Sequence, residues 1–270
     1  SQELLEKYDI SILPLHILLG EKEYCDGVDI TPDEIFQWSD AQKTTPKTSA
    51  PALDMAMEML EPFVKEKQPV ICFSISEDMS TSANVMRMAA SELEAEDLVT
   101  VIDSASLSTG IGLLVLHAAE MAQAGKTVEE IQTEIEELKP KVRASFVVDT
   151  LVYLYRGGRC SGLAAMFGSA LHLHPMIVVE NGKMHSSKKY RGKLSKVILD
   201  YAKDLKEQME QARSERVFIT HSGCSPEVVE KVRSYVEELH IFDEILITRA
   251  GGVISSHCGP GTLGVLFIEK

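Results

Sequence analysis

Two short apolar runs set the rhythm of the first half of the chain: PVICFSIS (69–76) and LVTVIDS (98–104). Each is followed by a stretch in which apolar residues return every three or four positions, 81–94 and 107–124, the period of an amphipathic helix. The second stretch stops at Gly125, a natural C-terminal cap. Strand, crossover helix, strand predicts a parallel sheet. A charged helix, VEEIQTEIEELKPKV (128–142), then leads away. From about 145 the rhythm changes. SFVVDTL, PMIVVENGK, KMHSSKKY, RVFITHSG, EILITRAG and TLGVLFIEK read as strands in quick succession, with a small-residue helix near 161–171 and long helices near 193–212 and 225–239. Asn181-Gly182 between two strand-like runs is a hairpin signal. The pattern predicts two α/β domains: 1–142 with a parallel sheet, and 143–270 with a mixed sheet and helices. It shows no low-complexity segment and no evident internal repeat.

Composition narrows the function classes. The 270 residues are 44% hydrophobic and 25% charged, and 27 basic against 41 acidic residues leave a net charge of −14. A nucleic-acid surface needs a clustered basic face, and anionic headgroups would repel this chain, so neither nucleic acid nor stable membrane association is expected. No apolar run approaches the ~20 residues that span a bilayer, and the first residues, SQELLEKYDI, lack a basic-then-apolar signal pattern. Five scattered cysteines (Cys25, Cys72, Cys160, Cys224, Cys258) without C-x-x-C spacing suit a reducing cytoplasm. His172 and His174 form an H-x-H, but Pro175 follows and no third ligand is apparent, so no metal and no cofactor are expected. The methionines Met55, Met57, Met59, Met86 and Met88 read as core.

Several hydroxyl- and glycine-rich stretches could carry chemistry. In KTTPKTSAPA (43–52), Ser49 is placed to cap a helix with Pro51 in its first turn, while the Thr48 hydroxyl could point into a cleft. In SISEDMSTSANVM, Ser80 stands at a helix entrance, where free N–H groups favour an anion; it is equally placed as a plain cap. DSASLSTGIG (103–112) repeats the theme, with Gly110 and Gly112 suited to close helix packing. In YRGGRCSG (155–162), Arg156 and Arg159 could bind phosphate or brace a domain interface. Near the end, SSHCGPGTLGVLF contains Gly259, Gly261 and Gly264 in G-x-G-x-x-G spacing. A dinucleotide fingerprint opens a helix, whereas here a strand follows. There is no G-x-S-x-G nucleophile elbow and no P-loop. His257 and Cys258, if on a strand, would face opposite sides, which leaves His257 as a hydrogen-bonding group beside glycines that allow close approach.

Taken together, these stretches resemble the DegV family of bacterial fatty-acid-binding proteins. The resemblance runs from ELLEKYDISILPLHI through TSAP, DMSTS, VIDSASLSTGIG and TLVYLYRGGRCSG to SSHCGPGTLGVLF, nearly the whole chain. It implies a two-domain α/β protein that holds one long-chain fatty acid, of the palmitate kind, in a tunnel near the domain interface and presents the carboxylate to a partner fatty acid kinase. By that resemblance Thr48, Ser80 and His257 would bind the carboxylate, Ser49, Ser82 and Gly259 would add to the pocket, and Lys189 and Arg191 would belong to the kinase-facing surface. The family's usual opening strand ends in Thr-Asp-Ser, and this chain starts just after that point, so one strand and one polar wall are expected to be missing or truncated. The family's L-S-G-T is M-S-T-S here (79–82), and His174 stands where lysine is commoner.

The chemistry suits such a ligand. About 14 methylenes at about 0.8 kcal/mol each give roughly 11 kcal/mol of gross transfer energy before association costs. The carboxylate must find hydrogen bonds in a dry pocket. The expected function is therefore a non-enzymatic carrier. The alternative from another class is a serine hydrolase using Ser80 or Ser49 with His257.

Overall fold

The computed structural model describes residues 1–159 and 173–270; the helix expected near 161–171, with Cys160 and His172, lies outside them. Helix α1 (Gln2–Tyr8) leads into an antiparallel three-stranded sheet of order β2-β1-β3, built from β1 (His16–Leu19), β2 (Lys22–Cys25) and β3 (Lys47–Ser49). Helix α2 (Pro32–Gln42) lies between β2 and β3 and starts in a capping box, in which Thr31 and Glu34 satisfy each other's backbone N–H.

Helix α3 (Leu53–Lys65), β4 (Val70–Ser74), α4 (Ser82–Glu92), β5 (Val99–Asp103) and α5 (Thr109–Gln123) follow. Strands β4 and β5 pair in parallel with Val70 opposite Val99, as the strand–helix–strand pattern requires. Alanines make close packing possible here: Ala89 and Ala90 of α4 share one core with Ala56 and Leu60 of α3. Gly110 serves the same end, because a Cβ there would sit 2.2 Å from the Ser106 Oγ and 3.5 Å from Ala144. The charged helix α6 (Val128–Leu138) ends four residues earlier than its sequence suggests. Pro140 supplies no N–H, so the chain makes a single 3-10 turn over 139–141 before entering β6.

The second half supplies β6 (Val142–Val147), α7 (Val152–Arg156), β7 (Leu173–Glu180), β8 (Lys183–Arg191), α8 (Leu194–Asp204), α9 (Lys206–Met209), β9 (Arg216–Ser222), α10 (Pro226–Glu238), β10 (Glu244–Arg249), α11 (Gly252–Cys258) and β11 (Thr262–Ile268). Its six strands run in the order β10-β9-β11-β6-β7-β8, with β9 and β10 parallel and the other pairings antiparallel, the expected mixed sheet. Asn181 and Gly182 both take positive φ in the β7–β8 hairpin. Alternate residues face two cores. Phe146, Phe218 and Leu266 pack with Leu113, Ile131 and Ile135 of α5 and α6, while Val147, Ile219 and Phe267 pack with Ile198, Tyr201 and Val232 of α8 and α10. Helices from the first half thus cover one face of the sheet of the second.

Two local expectations are corrected. Thr48 and Ser49 lie on strand β3, and α3 is entered through Ala52 with no side-chain cap, so Ser49 caps nothing and Pro51 precedes the helix. His257 and Cys258 lie on helix α11, not on a strand. That helix lacks a local capping side chain; the Asp26 carboxylate, from the segment after β2, accepts from the N–H groups of Gly252 (2.5 Å) and Val253 (2.8 Å). Among the described residues no helix is long and apolar enough to cross a membrane.

Candidate functional site

Strand geometry turns Thr48 inward. In β3, Lys47 and Ser49 face solvent while Thr48, opposite Ile17 of β1, faces the other way. Its Oγ1 lies 2.8 Å from Nε2 of His257, in the last turn of α11. The histidine ring is buried against Gly157, where a Cβ would stand 2.2 Å from Nδ1. Nδ1 has no hydrogen-bond partner among the described residues. Burial, and after it the positive charge of Arg159, pull the His257 pKa down to about 4, so the ring is neutral near pH 7. A proton on Nδ1 would be a buried donor without an acceptor, which assigns it to Nε2. His257 then donates to Thr48, and the Thr48 hydroxyl proton is free to donate to a ligand.

Arg159 links this pair to the serine-rich loop. It donates through Nη1 to the Gly157 carbonyl (2.8 Å) and through Nη2 to the carbonyl of Met79 (3.4 Å), next to Ser80. Ser80 Oγ lies 2.7 Å from Ser82 Oγ and accepts from the Ser82 N–H at the entrance of α4. Ser82 in turn lines a cavity of about 1160 Å³, somewhat above the usual range for ligand pockets. Residues 70–75 of β4 and the segment after it form one wall, and Leu60, Phe63, Met86 and Val115 face it. Met59 also lines it, so two of the methionines read as core are cavity wall. Ser74 lines the same cavity with its Oγ buried and unpartnered among the described residues. Thr48, Ser80 and His257 are not themselves among the lining residues; the cavity meets their neighbourhood at Ser82.

The other candidates are placed as follows. Ser49 is exposed on β3 and turned away from Thr48. Gly259 ends α11 at φ 76, its carbonyl accepts from Ser222 Oγ, and Tyr153 fills the place of a side chain, 2.5 Å from where a Cβ would lie. Cys258 is buried, which pushes its thiol up to about 12 and rules out a thiolate nucleophile near pH 7. Lys189 and Arg191 are exposed on one side of edge strand β8, whereas Lys188 and Tyr190 both reach Asp204. His174 sets both ring nitrogens against carbonyls, of Asp149 (3.2 Å) and Gly192 (3.0 Å). No group of three or more His, Cys, Asp or Glu side chains among the described residues could hold a metal ion. Sequence reasoning did not place Arg159 beside His257, nor single out Ser74; the paired glycines ahead of Arg159 were the only hint of a close approach.

The chain matches the DegV family, whose members are described as uncharacterised proteins, over residues 1–270. It is 30% identical over 272 residues to a DegV domain-containing protein of Clostridium perfringens, covering 100% of this chain and 95% of that protein. Its structure is similar to the fatty-acid-binding DegV family protein from Thermus thermophilus (TM-score 0.90, 30% identity, 100% of this chain and 95% of that one). It is also similar to a stearic-acid-binding protein from Eubacterium ventriosum (TM-score 0.88, 30% identity, 100% and 94%). With the whole length matched in sequence and structure, the chain belongs to the DegV family.

Proposed function

We propose that the protein is a cytoplasmic fatty-acid carrier, with Thr48, Ser80 and His257 as the carboxylate receptor and the acyl chain in the cavity that begins at Ser82. The observation that carries this reading is the Thr48–His257 hydrogen bond. It joins residues 209 positions apart, beside a mostly apolar cavity, and leaves a hydroxyl proton unspent. Arg159 adds one positive charge nearby. The family's fatty-acid-binding structures support the ligand class. In this reading the chain divides at 142/143, and the receptor draws Thr48 and Ser80 from the first part and His257 from the second.

A carrier is favoured over a hydrolase by what surrounds the histidine. A catalytic base needs a nucleophile within hydrogen-bond reach and a third group to orient it. His257 bonds to Thr48 rather than to Ser80 or Ser49, and its Nδ1 has no carboxylate partner among the described residues. The exposed Lys189 and Arg191 on β8 form the basic patch proposed to face a partner fatty acid kinase, in a chain whose net charge is −14. Organic extraction of the purified protein followed by mass spectrometry tests the reading. A long-chain fatty acid near one equivalent is the expected result; a different anion, or a protein that neither retains nor takes up fatty acid, would overturn it.

A further inference from the structure

Three threonine hydroxyls form a chain beside the cavity, near the carboxyl ends of β9 and β10. Thr220 and Thr248 stand opposite each other on these parallel strands, 2.9 Å apart between Oγ1 atoms. Thr109, in the first turn of α5, reaches Thr220 at 2.6 Å. Their side chains share the sheet face of Phe218, which packs in the core beneath α5. Thr109, Thr248 and Phe218 line the cavity, whereas Thr220 is buried between the two outer threonines.

Proton counting shows what this chain lacks. Three hydroxyls carry three donors, and two links use two of them. If the links run in one direction, the spare proton lies on Thr109 or Thr248, and both line the cavity. If both outer threonines donate inward, the spare proton is on buried Thr220, with no further acceptor among the described residues. The first arrangement is favoured because a buried donor without an acceptor is costly. The cavity-facing end also keeps free lone pairs, so it can donate and accept at once. A second observation comes from the same cavity: the Oγ of Ser74, at the carboxyl end of β4, is buried with no partner among the described residues.

We propose that the Thr109–Thr220–Thr248 chain is a polar subsite that takes a hydroxyl group on the acyl chain, so that the protein selects hydroxylated long-chain acids. An alcohol matches a site that both donates and accepts, and along a saturated tail it is the group that would otherwise lose its hydrogen bonds on burial. The proposal rests on the fatty-acid reading above.

The test is displacement of a fluorescent long-chain fatty acid by octadecanoic acid and by hydroxyoctadecanoic acids with the hydroxyl at successive positions. Binding about tenfold tighter for one position, or two adjacent ones, than for the other isomers is expected. Thr248→Val should remove that preference and Thr248→Ser should keep it, with Thr109→Val as the second variant should the first not fold. Octadecanoic acid binding without positional preference among the hydroxy acids, or a preference that survives both valine variants, overturns the subsite and leaves the carrier reading standing. Failure of every acid to bind overturns both.

Discussion

Gly157→Ala tests whether the position of His257 matters for binding. Gly157 closes α7 at φ −75, a conformation alanine adopts freely, so the substitution adds volume and no backbone strain. The new Cβ would lie 2.2 Å from Nδ1 and 2.7 Å from Cε1 of His257. Ordinary contact begins near 3.4 Å, so the ring must move by about 1 Å or more. The Thr48 hydrogen bond is 2.8 Å long, and a shift of about 1 Å away from Thr48 carries it past hydrogen-bonding range. Overpacking of this kind costs roughly 1–3 kcal/mol of stability. Losing a charge-assisted contact to a bound carboxylate costs about 1.5–3 kcal/mol, between tenfold and a hundredfold in affinity. Gly158→Ala is the control. Gly158 has φ +70 with nothing within 4 Å of a Cβ, so alanine there strains the backbone by about 1–2 kcal/mol without touching His257. Thermal melts and fatty-acid displacement on both variants separate the effects: both should melt earlier, and only Gly157→Ala should lose affinity. A Gly157→Ala protein that binds like the parent, or a Gly158→Ala protein that loses as much, would refute the reasoning.

Thr48→Val and Ser80→Ala should each weaken fatty-acid binding on the order of tenfold with little loss of stability; equal dissociation constants by titration calorimetry would remove these hydroxyls from the receptor. His257 titrates at about 4 in the fold against an ordinary 6.5, so between those values the unfolded chain binds the extra proton and stability rises with pH. About 3 kcal/mol is lost as the pH falls through that window, and His257→Gln should flatten the pH dependence of the urea midpoint; identical slopes for variant and parent would show that the ring is not held neutral. Cys258→Ala should leave fatty-acid affinity unchanged, and the buried thiol should resist alkylation until the chain unfolds; a binding defect would mean that the Cys258 side chain shapes the site.

The legibility of the chain divides along the range of the forces involved. The parallel β4–β5 pair and the β7–β8 hairpin are readable because their signals are local: a change of hydrophobic period in the first, and Asn181-Gly182 with two positive φ values in the second. Helix α11 is not readable. Its run of Gly, Val, Ile and Ser is a poor helix former, and its cap is Asp26, 226 residues away from the Gly252 that it binds. The Thr48 hydroxyl is singled out by its polar loop, but its inward direction depends on strand pairing with β1, which the sequence disguised as a helix entrance. Arg159 becomes part of the site because the turn that follows α7 sets it near His257 and the Met79 carbonyl, and the glycines before it in sequence announce only a tight turn.

In the proposed carrier, the same separation would let one site combine a firm hold on a ligand with an available headgroup. Apolar burial grows with each methylene placed in the cavity and is indifferent to the chemistry at Ser82. The receptor end contributes hydroxyls, a neutral imidazole and one arginine already engaged by the carbonyls of Gly157 and Met79. A free guanidinium would clamp a carboxylate through two parallel bonds. Here Arg159 gives one N–H from each of its two Nη atoms to a backbone carbonyl, and its positive charge also acts through space at His257. In the proposed carrier, affinity would come from the tail and orientation from the hydroxyls, which would leave lone pairs on the carboxylate oxygens for a reaction partner.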